Sequence, residues 1–283
     1  MSVILGLMEN PNMKQAVCNE LFGSMAFSKT CELLVKHGFS GIEIAPYTIS
    51  DDSGRISPPT LRNINATLKD YGLEFAGFHW LLAPPPVLRF TAADPALRNR
   101  ARAHLKHLLH AAGELGGGNL IFGSPEQRKA TDVSPADGLQ FFIESLQDLA
   151  ETASQAHNTI CLEALPKSVT NIMNTLEEVE RIVHTIDHPA IQGMFDFHNC
   201  DDETLSWERL LTKYRPIIRH VHLNNNNGGN PTIADAPAYR PAFQALKNSQ
   251  YSGWISLEIF TTPEDPEQIL RDTSELNHEL LPP

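Results

Sequence analysis

The segment Thr159–Pro166 reads TICLEALP, a short run of β-branched and apolar residues that ends in one carboxylate, Glu163. Three later segments share this organisation, each with one metal-capable side chain near the end of an apolar run. They are IQGMFDFHNC (Ile191–Cys200) with Asp196, IIRHVHLNN (Ile217–Asn225) with His222, and GWISLEIF (Gly253–Phe260) with Glu258. A charged side chain among Ile, Leu, Phe and Val is costly to bury unless a partner compensates it. Four such residues at the ends of four successive predicted strands therefore indicate one shared site.

The rest of the chain alternates apolar, β-branched runs with longer amphipathic stretches, which is the pattern of repeated βα units. Eight strands are predicted, at Val3–Met8, Gly41–Pro46, Leu73–Trp80, Gly117–Ser124, Thr159–Ala164, Ile191–Phe197, Ile218–Asn224 and Trp254–Phe260. Three of the amphipathic stretches open on Ser-Pro or Asp-Pro, at Ser57, Asp94 and Ser134, as helices often do. The pattern predicts an α/β fold, a single (β/α)₈ TIM barrel with one domain over residues 1–283. No GxGxxG or GxxxxGK[ST] motif supports an open nucleotide-binding sheet.

Composition excludes several classes of protein. The formal net charge is −12 over 283 residues, which disfavours nucleic acid because phosphate contacts need a basic face. No apolar run approaches the length of about 18 residues that a membrane span needs, so no membrane partner is expected. The four cysteines form no CxxC pair, which argues against a disulfide framework or a thiolate zinc site. The first residues lack the features of a signal peptide, and we expect a cytoplasmic location.

The direction of the four side chains follows from strand alternation. Glu258 lies between Leu257 and Ile259, which are expected to face the helices and to turn Glu258 into the barrel. The same alternation turns the other three inward, toward the end of the barrel where active sites form. Three carboxylates and one imidazole suit one divalent metal ion, and we expect Mn²⁺, with Mg²⁺, Co²⁺ or Zn²⁺ as alternatives.

These segments resemble the sugar isomerase and epimerase superfamily with the xylose isomerase-like TIM barrel, which includes ketose 3-epimerases, hydroxypyruvate isomerase and inosose-processing enzymes. The resemblance is strongest from about residue 117 to 262. It is carried by EALPKSVTNIMNT (163–175) after the fifth strand, MFDFHN (194–199) on the sixth, RHVHLNN (219–225) on the seventh and QYSGWISLEIF (250–260) on the last. The resemblance implies that Glu163, Asp196, His222 and Glu258 are the metal ligands. It also implies that Glu163 and Glu258 act as the acid/base pair on opposite sides of the substrate.

The chain departs from the ketose 3-epimerases next to this site. In those enzymes a histidine that contacts substrate follows the metal aspartate by three residues, and here that position is Asn199, with His198 one residue before it. Val169 stands at the position of a second family glutamate, and Gly228 at that of an arginine. We therefore expect His198 and Asn199 to contact substrate, but in a manner that differs from these relatives.

Four further side chains are candidates for substrate binding. His79 ends the third strand, and Glu43 is an inward acid on the second that binds a substrate hydroxyl or pairs with a cation in the pocket. Lys167, just past Glu163, and Arg240, in the loop before the last helix, are candidates for an anionic group, with plain surface exposure as the alternative for both.

Together these observations predict a divalent-metal-dependent isomerase or epimerase acting on a sugar or sugar-like ketone or polyol. A proton moves next to the carbonyl through a metal-stabilised enediolate. The same first step followed by loss of a β-hydroxyl gives the alternative, a lyase or dehydratase acting on a keto-sugar or keto-inositol. An abasic-site endonuclease of this fold is disfavoured by the acidic charge and by too few histidines, and a non-catalytic metal-binding protein remains open. The expected partner is a small sugar-like molecule, and the resemblance suggests a homodimer or homotetramer.

Overall fold

Eight parallel strands close into a barrel in the order in which they occur along the chain, and β1 pairs with β8. The structure is a computed structural model that describes residues 13–51, 55–83, 88–261 and 263–281. The strands are β1 Lys14–Cys18, β2 Gly41–Ile44, β3 Glu74–Phe78, β4 Asn119–Phe122, β5 Thr159–Leu162, β6 Ile191–Asp196, β7 Ile218–Leu223 and β8 Trp254–Leu257. The predicted (β/α)₈ TIM barrel is confirmed.

Helices follow the strands around the outside of the barrel. They are α1 Phe27–Lys36, α2 Pro58–Tyr71, α3 Pro95–Glu114, α4 Pro125–Arg128, α5 Pro135–Gln155, α6 Leu176–Ile186, α7 Trp207–Lys213, α8 Ala236–Asn248 and α9 Pro266–Leu280. The predicted caps are confirmed at three helices, because Ser57, Asp94 and Ser134 each accept a backbone N–H of the first turn and are each followed by proline. No helix among the described residues is long and apolar enough to cross a membrane.

Seven predicted strands agree with β2–β8 to within three residues at either end. The predicted first strand, Val3–Met8, lies outside the described residues, and β1 is the more polar segment KQAVC. Several predicted strands run past the observed carboxyl ends, because the strand-like sequence continues after the ladder stops. Glu163 and Glu258 occupy such positions, one residue beyond β5 and β8.

The main hydrophobic core lies between the strands and the helices, where the outward-facing residues of the strands are buried. Ile42, Ile160 and Val221 are fully buried there. Two small apolar clusters are separate from this core and belong to the barrel interior: Ala16, Ala76 and Trp254, and Ile121, Cys161 and Met194. The four cysteines are free thiols.

Candidate metal centre and active site

The carboxyl ends of β5–β8 bring together the four side chains that the sequence singles out. Glu163 and Glu258 directly follow β5 and β8, Asp196 ends β6, and His222 lies one residue before the end of β7. Each offers one ligand atom, and these atoms all lie within 4.8 Å of one another. All four residues are at most 7% exposed. A single ion at this position is within reach of all four.

His222 is the only imidazole in this group of four, and its two nitrogens have different neighbours. Nδ1 lies 2.9 Å from Glu258 Oε2 and 3.7 Å from Asp196 Oδ2. Nε2 is hydrogen-bonded at 3.1 Å to Oε1 of Glu43, a fully buried carboxylate on β2. Nδ1 is therefore the nitrogen that lies beside the carboxylates of Asp196 and Glu258.

The loop after β6 holds two of the carboxylates in place. The side-chain amide of Asn199 donates to Glu163 Oε1 at 2.9 Å and to Asp196 Oδ2 at 3.0 Å. The backbone N–H of His198 donates to Asp196 Oδ1 at 2.7 Å and also contacts Asn224 Oδ1 at 2.9 Å. Asn199, predicted to contact substrate, therefore also bridges two candidate ligands.

The electrostatics of the cluster call for a positive charge. Burial, together with the nearby carboxylates of Asp196 and Glu258, raises the pKa of Glu163 well above its usual value. Burial also raises the pKa of Glu258. His222 Nδ1 and Glu258 Oε2 are buried and make no well-oriented hydrogen bond within the described residues, although they lie close together. A divalent cation satisfies both atoms and offsets the crowded acids, so these residues fit a metal ion.

Two other groups of potential ligands, both built around Glu43, suit a metal less well. One combines Cys18 with Glu43 and His79, and another combines Glu43 with His220 and His222. Burial raises the pKa of Cys18 to about 12, which keeps it a neutral thiol and a poor ligand. Both groups depend on Glu43, whose carboxylate already contacts imidazoles. The four residues at the strand ends are the better candidate.

Two residues next to Glu163 explain how it reaches the site, and neither has a local sequence signal. Gly123 follows β4, and a Cβ there would lie 2.1 Å from Glu163 Oε2, so only glycine leaves room for the carboxylate. Arg128 on α4 is fully buried, and its guanidinium donates to the backbone carbonyl of Glu163 at 2.6 Å and to that of Met173 at 3.2 Å. The guanidinium also donates to the carbonyl of Phe122 at 3.3 Å, so it joins the ends of β4 and β5 and places a cation near the acids.

A cavity of about 180 Å³, partly open to solvent, lies over the candidate metal centre. Its polar lining includes Glu163, Glu258, His79, His198 and Asn199. Apolar side chains make up much of the remaining wall, namely Trp80, Ile121, Pro125, Leu165, Val169 and Phe260. Among the described residues that line it, none is a lysine or an arginine. The cavity therefore offers polar groups and an apolar wall, and its described lining has no lysine or arginine to bind a phosphate.

Two lining residues have left-handed backbone conformations, which are costly for residues other than glycine. Trp80 follows β3 with φ of 49°, and Ser124 follows β4 with φ of 41°. Such conformations often occur at functional sites because the surrounding fold enforces them. At the mouth, a Cβ at Gly228 would lie 2.6 Å from the Phe260 ring, so the small residue at this position makes space for Phe260. The ring of Phe260 also lies 5.0 Å from that of His198.

The remaining predicted substrate contacts are divided between the cavity and the surface. His79 lines the cavity, and its Nε2 pairs with Glu20. Glu43 is fully buried and does not line the cavity. Lys167 has a 68% exposed side chain, 4.0 Å from Asp202. Arg240 lies inside α8 rather than in a loop before the last helix.

That placement of Arg240 corrects the location expected from the sequence. The proline two residues into α8 and the polar run before it resemble a loop, but the helix already begins at Ala236. The guanidinium of Arg240 pairs with Glu279 on α9, 2.6 Å away. Neither Arg240 nor Lys167 lines the cavity.

A known protein family matches most of this chain. The sequence model of the Xylose isomerase-like TIM barrel family matches residues 31–277. This is most of the chain, so the chain belongs to that family, and the resemblance inferred from the strand-end motifs is confirmed.

Three similar proteins, two matched by sequence and one by structure, are sugar epimerases. A 3-dehydro-D-guloside 4-epimerase of Escherichia coli is 23% identical over 272 residues, which is 92% of this chain and 97% of that protein. A D-psicose 3-epimerase of Agrobacterium fabrum is 23% identical over 241 residues, which is 84% of this chain and 80% of that protein. A solved structure of D-psicose 3-epimerase in the presence of D-fructose superposes with a TM-score of 0.80 at 18% identity, covering 95% of this chain and 99% of that one. The predicted class, an enzyme of the sugar isomerase and epimerase kind, is confirmed at the level of the family.

Proposed function

We propose that the chain is a divalent-metal-dependent epimerase or isomerase of a neutral sugar ketone. The observation that carries this proposal is the placement of Glu163 and Glu258 in one cavity, both buried and both within reach of Asp196 and His222. Epimerisation next to a carbonyl needs one group to remove a proton and another to return it. Two glutamates that line the same cavity supply both groups.

The role of the metal ion is to make the proton next to the substrate carbonyl more acidic. When bound by these four side chains, a divalent ion supplies Lewis-acid polarisation of a carbonyl and charge compensation for the oxygen that becomes negative. Three carboxylate donors and one imidazole favour Mn²⁺ or Mg²⁺, and we propose Mn²⁺ as the working metal. Asn199 holds Glu163 and Asp196 at fixed separations, so that the acids need not rearrange when substrate enters.

The cavity wall indicates the kind of sugar. No lysine or arginine among the described lining residues is available to bind a phosphate, which favours an unphosphorylated substrate. Phe260 and Val169 are large apolar side chains that remain 44% and 41% exposed at the cavity. They offer an apolar surface to the C–H face of a sugar ring, while His198 and Asn199 offer hydrogen bonds to its hydroxyls.

Isotope exchange tests this proposal. The protein is incubated with Mn²⁺ and a panel of neutral ketoses, keto-glycosides and inososes in deuterium oxide, beside the variants Glu258→Gln and Glu126→Gln. Glu126 is exposed on α4, so its variant is a control for the loss of one acid near this face of the barrel. We expect deuterium at the carbon next to the carbonyl with the unaltered protein and the control, and loss of that signal with Glu258→Gln. Equal exchange by Glu258→Gln would contradict the assignment, and loss of water from the product would indicate a lyase.

A further inference from the structure

Glu43 is a fully buried carboxylate in the barrel interior that is surrounded by imidazoles. Its Oε1 lies 3.1 Å from His222 Nε2 and 3.4 Å from His79 Nδ1, and its Oε2 lies 2.8 Å from His220 Nε2. It is 0% exposed, so it contacts neither solvent nor the cavity. A buried carboxylate persists only where nearby groups compensate it. His222 Nε2 is hydrogen-bonded to Glu43, whereas His79 Nδ1 and His220 Nε2 lie close to it without a well-oriented hydrogen bond.

The protonation of His220, one of these neighbours, determines which oxygen of Glu43 is available to the other two imidazoles. The amide of Asn119 contacts His220 Nδ1 at 3.2 Å, and because the amide donates there, the proton of His220 belongs on Nε2. Nε2 of His220 lies 2.8 Å from Oε2 of Glu43, although the two atoms are not oriented for a regular hydrogen bond. The other oxygen, Oε1, is left to face His222 and His79.

The same reasoning applies to His222, whose ring joins Glu43 to the metal centre. A carboxylate only accepts hydrogen bonds, so the contact between Glu43 Oε1 and Nε2 requires a proton on Nε2. A neutral imidazole carries one proton, which leaves Nδ1 with a free lone pair. Nδ1 is the nitrogen that lies beside Asp196 and Glu258.

We propose that Glu43 is a positioning residue for the metal centre, which holds the proton of His222 on Nε2 so that Nδ1 binds the ion. This inference rests on the metal centre of the proposed function and extends it to a residue on the opposite half of the barrel. It gives Glu43 a role different from the direct substrate contact expected from the sequence. The edge-on packing of the His222 ring against His220, with centroids 5.1 Å apart and planes at 88°, restricts the ring to this orientation.

Metal affinity tests the role of Glu43 directly. Glu43→Gln keeps the shape of the side chain but removes the charge, and residues that orient a metal-binding histidine typically account for about 10–100-fold in metal affinity. We expect Mn²⁺ affinity, measured by calorimetry, to fall by that factor. Glu20→Gln is the matched control, because it removes a neighbouring acid that contacts His79 and not His222. Its affinity should change by less than about threefold, since only the contact with His222 orients a ligand.

A second measurement uses the unaltered protein and does not depend on how the variants fold. In protein loaded with Mg²⁺ and labelled with ¹⁵N at histidine, the ring spectrum of His222 should show a proton on Nε2, shifted downfield by the carboxylate, and none on Nδ1. A proton on Nδ1 would overturn the proposal, as would full Mn²⁺ affinity in Glu43→Gln. Failure of the proposed metal centre looks different, because the unaltered protein would then bind no Mn²⁺, or Glu258→Gln would bind it equally well. That result would overturn both proposals together.

Discussion

The half of the barrel formed by β5–β8 and the half formed by β1–β4 contribute to the site in different ways. The second half supplies all four candidate ligands, one from each strand end. The first half supplies no member of that set and instead provides the surroundings: Glu43 behind His222, His79 in the wall, and Gly123 beside Glu163. The candidate ligands therefore come from one half of the barrel, whereas part of their surroundings comes from the other half and reaches them only when the barrel closes.

The largest loss of activity is expected from a substitution in the half formed by β5–β8. Glu163→Gln should lower kcat for proton exchange by about 10²–10⁴-fold, because the amide neither removes nor returns a proton. The measurement is deuterium incorporation at saturating Mn²⁺ and substrate. Glu126→Gln, which alters an exposed acid on α4, should stay within about twofold because it leaves the proton-transfer groups unchanged. If Glu163→Gln retains more than a tenth of the rate, Glu163 has no acid/base role.

Metal binding to the candidate ligands of β5–β8 should stabilise the folded protein. At a free Mn²⁺ concentration of 100 times Kd, the free energy of unfolding should rise by about 2.7 kcal/mol. For a chain of this size that corresponds to a rise in Tm of about 5 °C. Asp196→Asn should lose most of this gain, because one of three carboxylate donors is gone. Differential scanning calorimetry with and without Mn²⁺ measures both, and an equal Tm gain in the variant would show that the ion binds elsewhere.

A substitution in the half formed by β1–β4 should change KM more than kcat. His79 lines the cavity but lies outside the four-residue cluster, so His79→Asn should raise KM by about tenfold and lower kcat by less than about threefold. Steady-state kinetics with a ketose substrate separates the two constants. A loss that falls mainly on kcat would move His79 into the proton-transfer machinery and weaken the contrast between the halves.

The smallest effect is expected at the two predicted cationic contacts. Lys167 and Arg240 lie outside the cavity, so Lys167→Ala and Arg240→Ala should each change kcat/KM for a neutral sugar by less than about twofold. The same assays with a phosphorylated sugar complete the comparison. A tenfold loss confined to the phosphorylated substrate would restore the anionic-group role and contradict the choice of a neutral sugar.

The contrast between the halves also explains what could be predicted from the sequence. Each ligand lies at the end of an apolar run, so strand alternation alone turned Glu163 and Glu258 toward a common interior. The fold followed from the repeated βα pattern, with β1 as the exception, because KQAVC alternates too weakly to be distinguished from a loop.

The supporting residues carried no comparable signal. Arg128 is a cation on a four-residue helix and reads as a surface residue, yet it is fully buried against the carbonyl of Glu163. The contact of Glu43 with His222 joins residues 179 positions apart on strands that are not neighbours in the sheet. Such contacts depend on barrel closure, which a local pattern of residues does not encode.

Anomalous diffraction from crystals grown with Mn²⁺ tests most directly whether the four strand ends form one metal centre. We expect a single strong peak within bonding distance of Glu163, Asp196, Glu258 and Nδ1 of His222. A peak at the deeper group around Glu43 and His220, or no peak at the strand ends, would show that these four residues do not form the metal centre.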